Sequence, residues 1–368
     1  MWTQGGAQGQ DAFLQVSRRG FLKSFCFSAA LVALTALLCL VFSEVILRLT
    51  VYSFKEYPVS PGAGSTYHFK TAEFENVITT NSLNMRDGEI PPKREGEYRI
   101  LCLGDSFTFG MGVNIPQSYP KVLEKILLEH NPRYRVINGG TGGSAFWAYS
   151  FLKEKGLDFR PDLVVVQVYI GNDFYDGMSR ADFRAPAQPA AAVVPSRESP
   201  LHLFKVAVRG LKLRTPEFLW IQLTRVKWID DLLYRMDLRY DNRAIYLRDY
   251  PALESRLVRM ELEDLGRIKR ACEEHQISML VILVPEKQQV FQSRRLNDAK
   301  YDYRKPNRIL KEFCGQNGLD YIDFLDVYKA LPEKTLRSFY FSKDMHWTVK
   351  GHVFAAETIA KFLAQKFK

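Results

Sequence analysis

Four short stretches of this chain carry residue types that, brought together, can perform acyl transfer. The first is Gly104-Asp105-Ser106, which ends the apolar run RILCL. A serine on a strand-to-helix turn, in the crevice outside the carboxyl ends of an open α/β sheet, is placed to act as a nucleophile. Taken alone, Asp105 and Ser106 read first as ordinary helix caps. The second stretch is GGTGGS at 139–144, whose amides are unobstructed by side chains, with Gly143 set to approach a substrate oxygen. The third is Gly171-Asn172-Asp173, where Asn172 offers an amide donor. The fourth is FSKDMHWTVKGH, with Asp344 and His346 ahead of a closing helix. In such a set Ser106 attacks, His346 is general base and Asp344 fixes its tautomer. The Ser106 amide, Gly143 and Asn172 then form an oxyanion hole. Asp105, Asp173 and Trp347 flank these groups as supporting residues. Each piece alone has a duller explanation as a turn, a cap or a structural histidine. The joint placement of all four at strand ends or at the start of the last helix favours chemistry.

Positioning such a set requires strands that end at one edge. From Tyr98 onward, strand and helix patterns alternate: YRILCLGD, a helix over Tyr119 to His130, YRVIN, a helix over Ala145 to Lys155, then DLVVVQVYIGND. After an interruption come a helix over Ala252 to His275, ISMLVILVP, a helix over Lys305 to Asn317, DYIDFLD and a helix over Val349 to Phe367. Strict alternation with apolar strands predicts a parallel sheet covered on both faces, a three-layer α/β/α sandwich. The interruption, 177–250, begins with an Ala/Pro-rich tract expected to be a flexible loop. Amphipathic spacing follows at Phe204, Val208, Leu211, Leu219, Leu223, Trp228 and Leu232. Packing onto the sheet is the favoured expectation for it, with a lid or a surface resting on lipid headgroups as alternatives. Residues 48–97, rich in Gly, Pro and polar types, read as an extended leader.

At 368 residues, with 46% hydrophobic and 25% charged residues, the composition is globular and excludes wholesale disorder. The net charge of +10 is spread along the chain, and no nucleic-acid-binding signature accompanies it. The segment 24–43 is twenty residues without a charge, about the length that crosses a ~30 Å hydrocarbon core. Arg18, Arg19 and Lys23 precede it, whereas Arg48 and Lys55 beyond it are offset by Glu44 and Glu56. The bias places 1–23 in the cytoplasm, 24–47 in the membrane as an anchor, and everything after residue 47 outside, the catalytic domain being 98–368. Ser17-Arg18-Arg19-Gly20-Phe21-Leu22-Lys23 is similar to the bacterial twin-arginine export signal, the alternative being a pair of flanking charges. No small-residue cleavage site follows, so the anchor is expected to stay uncleaved in a bacterial inner membrane. None of the five cysteines has metal-ligand spacing. Cys272 and Cys314 are expected to be buried thiols, a disulfide between them being the alternative.

The four stretches resemble the signature blocks of the SGNH or GDSL hydrolases: Ser106 in GDS, Gly143 five residues after Asn138, Asn172 in GND, and His346 in the last block. The resemblance covers 98–176 and 251–368. It implies a flavodoxin-like sheet and serine ester chemistry with neither metal nor organic cofactor. The last block departs from the family's commoner DxxH spacing: Asp344-Met345-His346-Trp347 reads DxHW. That form, and VPEKQQV at 284–290, are similar to bacterial polysaccharide O-acetyltransferases of the alginate type. The expected function is a membrane-anchored esterase acting on a carbohydrate or other small acyl ester outside the cytoplasm. An O-acetyltransferase that modifies an exported polysaccharide is the alternative, since an acyl-enzyme can be resolved by water or by a sugar hydroxyl. From another class, a catalytically silent polysaccharide-binding module would have no need of both serine and histidine.

Overall fold

A computed structural model describes residues 7–49, 62–71, 73–141, 143–176, 178, 215, 242–342 and 344–366. The chain divides into two compact units, Met1–Lys55 with Val194–Arg239, and Glu56–Val193 with Tyr240–Lys368.

In the first unit, α1 spans Ala7–Leu49. Its window Phe27–Leu47 has a mean hydropathy of 2.5 and is long and apolar enough to cross a membrane. Phe25, Phe27, Leu31, Val32 and Phe42 all stand exposed along it. Near its end Glu44 Oε2 accepts from the Thr215 amide at 2.8 Å and the Thr215 hydroxyl at 3.0 Å. The amphipathic stripe expected from Phe204 to Leu232, and the Ala/Pro-rich tract before it, lie outside the described residues.

The second unit opens with a finding that corrects the expected extended leader. Strands β1 (Thr66–Lys70) and β2 (Glu75–Thr79) pair antiparallel, with Thr66 opposite Thr79 and Lys70 opposite Glu75. Their burial alternates with the pleat, so Phe69, Asn76 and Ile78 turn inward. With Phe74 and Met111 the apolar ones form a small separate core. Arg86, fully buried, secures this segment: its guanidinium donates to Val77 O at 3.2 Å, Phe109 O at 2.9 Å, Val113 O at 2.5 Å and also Gly110 O.

Five parallel strands follow: β3 (Tyr98–Gly104), β4 (Tyr134–Gly140), β5 (Leu163–Tyr169), β6 (Ser278–Val284) and β7 (Asp320–Asp323). They lie in the order β4-β3-β5-β6-β7, the flavodoxin-like arrangement. Among the helices that connect or follow them are α2 (Ser106–Phe109), α3 (Tyr119–His130), α4 (Ala145–Phe151), α5 (Asp173–Asp176), α6 (Ala252–Glu274), α7 (Lys287–Phe291), α8 (Lys305–Gln316) and α9 (Val349–Lys366). Side chains alternate across each strand. Ile100, Cys102, Val136, Val165, Leu280 and Ile282 therefore share one face with Tyr119, Leu123 and Leu127 of α3 and Ile359 and Leu363 of α9. Leu101, Leu103, Val164, Val166 and Val281 are buried on the other, which α4 and α6 cover. Every residue of β5 is buried, as a central strand covered on both faces requires. Cys102, Cys272 and Cys314 are buried free thiols, each pushed up to about 12 by burial.

In this strand order the chain reverses its direction of winding between β3 and β5, and a crevice opens beyond their carboxyl ends. Ser106 follows β3, and Asn172 follows β5.

Candidate active site

Ser106 is the first residue of α2. Asp105 caps that helix by accepting the Phe107 amide on Oδ1 at 2.8 Å, so the cap expected of these residue types is present. It leaves the Ser106 amide among the helix's first N–H groups, which have no intrahelical acceptor and are open to a ligand's oxygen. Burial pushes the Asp105 carboxyl up to about 6, against the pull of the Phe107 amide and of His346. Gln167, a polar residue inside the otherwise apolar β5, braces the turn. Its Oε1 accepts from the Asp105 amide at 3.1 Å and from the Thr108 hydroxyl at 3.0 Å.

Ser106 Oγ lies 2.6 Å from His346 Nε2, and His346 Nδ1 lies 2.5 Å from Asp344 Oδ1. An ionised carboxylate only accepts, so the ring proton sits on Nδ1 and Nε2 is left to take the serine proton. Asp344 Oδ1 also accepts the His346 amide at 3.0 Å. Both side chains are buried. Beneath the imidazole the Phe107 ring stands 5.1 Å away, and Trp347, with no exposed surface, packs edge-on to Phe107 at 5.0 Å and to Phe324 at 5.7 Å. Trp347 is thus the apolar floor of the site, and a dry floor strengthens the charge interactions above it.

Gly143 has a φ of +101°, which a side chain rarely adopts, and a Cβ there would stand 2.8 Å from Trp147 Cδ1. The same Cβ would come within 3.2 Å of Asp176 Oδ2. That oxygen also accepts from Asn172 Nδ2 at 2.8 Å, which places Gly143, Asp176 and Asn172 side by side. Burial, then the charge of Asp105, pushes the Asp176 carboxyl up to about 7. Asn172 also caps α5, but with its backbone: its carbonyl accepts the amides of Tyr175 at 2.8 Å and Asp176 at 2.9 Å. Its side-chain amide carries two N–H groups, one of them donated to Asp176. Asp173 points inward, its Oδ2 accepting the Tyr169 amide at 2.7 Å, and burial raises its carboxyl well above the ordinary range. Among the described residues, no group of three His, Cys, Asp or Glu is arranged to hold a metal ion.

Residues 102–354, more than half the chain, match the GDSL-like lipase/acylhydrolase family. The chain belongs to that family. As a GDSL enzyme it acts on ester bonds. Solved structures similar to it include a lipase/acylhydrolase from Enterococcus faecalis, 14% identical, covering 73% of this chain and 96% of its own, with a TM-score of 0.40. Another is a GDSL-like lipase from Bacteroides thetaiotaomicron, 12% identical, covering 76% and 92%, also with a TM-score of 0.40. No curated protein sequence matches the chain.

The structure of this GDSL enzyme gathers Ser106, Gly143, Asn172, Asp344 and His346 at one end of the sheet, with Asp105, Asp173 and Trp347 behind them. Sequence reasoning passed over Gln167, Asp176, Glu73 and Lys287. The first carried a signal, a lone polar residue in LVVVQVY. The second lies four residues after Asn172, the spacing at which helical side chains meet.

Proposed function

We propose that this GDSL enzyme is a membrane-anchored serine esterase that forms an acyl-enzyme at Ser106 and acts on a carbohydrate or other small acyl ester outside the cytoplasm. The observation that carries this reading is the unbroken chain of hydrogen bonds from Ser106 through His346 to Asp344. Ser106 Oγ attacks the ester carbonyl carbon while its proton passes to His346 Nε2, and Asp344 stabilises the imidazolium that forms. The carbonyl oxygen becomes an oxyanion, received by the amides of Ser106 and Gly143 and the Asn172 side chain. Collapse breaks the bond to the alcohol, which leaves with the proton from Nε2. Water then attacks the acyl-Ser106, losing its proton to Nε2, and that proton returns to Ser106 Oγ as the carboxylic acid departs.

A second reading rests on the DxHW block formed by Asp344, His346 and Trp347 together with VPEKQQV. It replaces water by a sugar hydroxyl in the last step, making an O-acetyltransferase. Both readings require the same acyl-enzyme. Mass spectrometry after a fluorophosphonate probe tests it. The label is expected on Ser106, and Ser106→Ala should lose turnover by about 10⁴-fold or more. A label on another serine of active protein would overturn the assignment. p-Nitrophenyl acetate turnover with and without oligosaccharide acceptors separates the two, since only a transferase yields an acetylated sugar.

A further inference from the structure

The segment that holds Asp344 and His346 is a loop, and loops do not hold catalytic geometry by themselves. Here the loop is gripped from two sides by elements with no part in the chemistry proposed above. Lys287, the first residue of α7, directs its ammonium into the loop and donates to Phe341 O at 2.7 Å, Ser342 O at 3.0 Å and Asp344 O at 3.1 Å. An ammonium has three N–H donors, and all three are engaged with one short stretch of backbone. From the other side comes Glu73, in the turn between β1 and β2. Its Oε1 accepts the Ser342 hydroxyl at 2.6 Å and its Oε2 accepts the Asp344 amide at 2.7 Å. The turn that presents Glu73 is itself fixed: Thr71 Oγ1 accepts the amides of Glu73 and Phe74, both at 3.2 Å, and the Thr71 amide donates to Phe74 O at 2.8 Å. Beside it the rings of Phe74 and Phe341 meet at 4.7 Å.

The two grips act on the two peptide groups that flank one residue. Glu73 holds the N–H of Asp344, and Lys287 holds its C=O. With both peptide groups held, the Cα–Cβ direction of Asp344 is set, and the His346 amide donating to Oδ1 at 3.0 Å turns the carboxylate toward His346 Nδ1, 2.5 Å away. The loop closes on itself by the Phe341 amide donating to His346 O at 3.1 Å, so a shift at one end reaches the histidine. We infer that Glu73 and Lys287 are positioning residues that hold the Asp344–His346 pair in register with Ser106, and that the N-terminal hairpin is therefore a working part of the active site. This inference rests on the serine mechanism proposed above, and its test keeps the two apart.

The full-length protein is compared with Glu73→Gln, Lys287→Met, Lys287→Arg and Ser342→Ala. The readouts are kcat and KM on p-nitrophenyl acetate, the rate of fluorophosphonate labelling, melting temperature, and the low-field proton resonance of His346 Nδ1–H. Labelling of the unaltered protein at Ser106 and inactivity of Ser106→Ala first establish the mechanism; their failure would overturn that reading and this inference with it, whereas the variants at Glu73 and Lys287 test this inference alone. Given that, Glu73→Gln and Lys287→Met should each lower kcat by about 10- to 100-fold, since small misplacements of a reacting group cost that much. KM should stay nearly constant, and the low-field resonance should broaden or move. Lys287→Arg should restore part of the loss, and Ser342→Ala, which removes one contact to Glu73 but leaves the one to Asp344, should have a smaller effect than Glu73→Gln. Unchanged kcat in both principal variants would overturn the inference. So would a fall in activity matched by the fraction unfolded, with the resonance of the folded fraction unmoved.

Discussion

Asn172 makes two sets of contacts with different atoms, and the proposed function gives the second set a catalytic role. Its carbonyl caps α5, and its side-chain amide, held through one N–H by Asp176, stands beside Gly143. Asn172→Ala keeps the first and removes the second. It should therefore lower kcat by about 10² to 10³ with little change in melting temperature. A large loss of stability with normal kcat would return Asn172 to a purely structural role. Asp176 yields a prediction in pH. Burial raises its carboxyl to about 7 in the folded protein, above its value in the unfolded chain. The folded state thus prefers the protonated form: the stability gained is complete below pH ~4 and is lost as pH rises through ~7. Asp176→Asn should then raise the melting temperature at pH 8 and leave it nearly unchanged at pH 4, as thermal melts across that range will show. The residues legible in the sequence were those whose partners lie beside them in the chain or in recurring blocks: Ser106, Gly143, Asn172, and Asp344 with His346. Glu73 and Lys287 were not, because their partners lie tens or hundreds of residues away, and a charged side chain reads as solvated surface until that partner is known.

At the scale of elements, the strongly periodic segments were legible. The helices begin at Tyr119, Ala145, Ala252, Lys305 and Val349, where apolar spacing of the helical kind begins. One ended early: the pattern carried to Lys155, whereas α4 stops at Phe151 and the chain widens into a wider-turned stretch over Leu152–Gly156. Gly156 there lies against the sheet, where a Cβ would stand 2.9 Å from Leu101 Cδ2. The hairpin β1–β2 was missed because its strands are five residues each, too short for alternation to stand out among the surrounding glycines and prolines. Its core makes it testable. Ile78 is fully buried, so Ile78→Ala should cost about 2–5 kcal/mol in a denaturant titration, whereas the same change in an extended leader would cost almost nothing.

Across the whole molecule, α1 carries a window, Phe27–Leu47, long and apolar enough to cross a membrane, and its described side chains from Phe25 to Val41 are exposed. We expect alkaline phosphatase fused after residue 60 to be active and the protein to remain at full length in the membrane fraction. Inactive fusions, or a shortened soluble product, would contradict an uncleaved anchor with its enzyme outside. Fold class was legible at this scale because alternation of strand and helix leaves few topologies; the insertion was not, because amphipathic spacing names a buried face but not what buries it. The hydrogen bond between Ser106 and His346 joins residues 240 positions apart in the chain. At about 5–20 residues per second, a ribosome completes His346 roughly 12 to 50 seconds after Ser106. Throughout that interval Ser106 lacks the histidine that the proposed mechanism gives it as base, so the nascent chain carries an unarmed serine until the segment holding His346 has been made and folded.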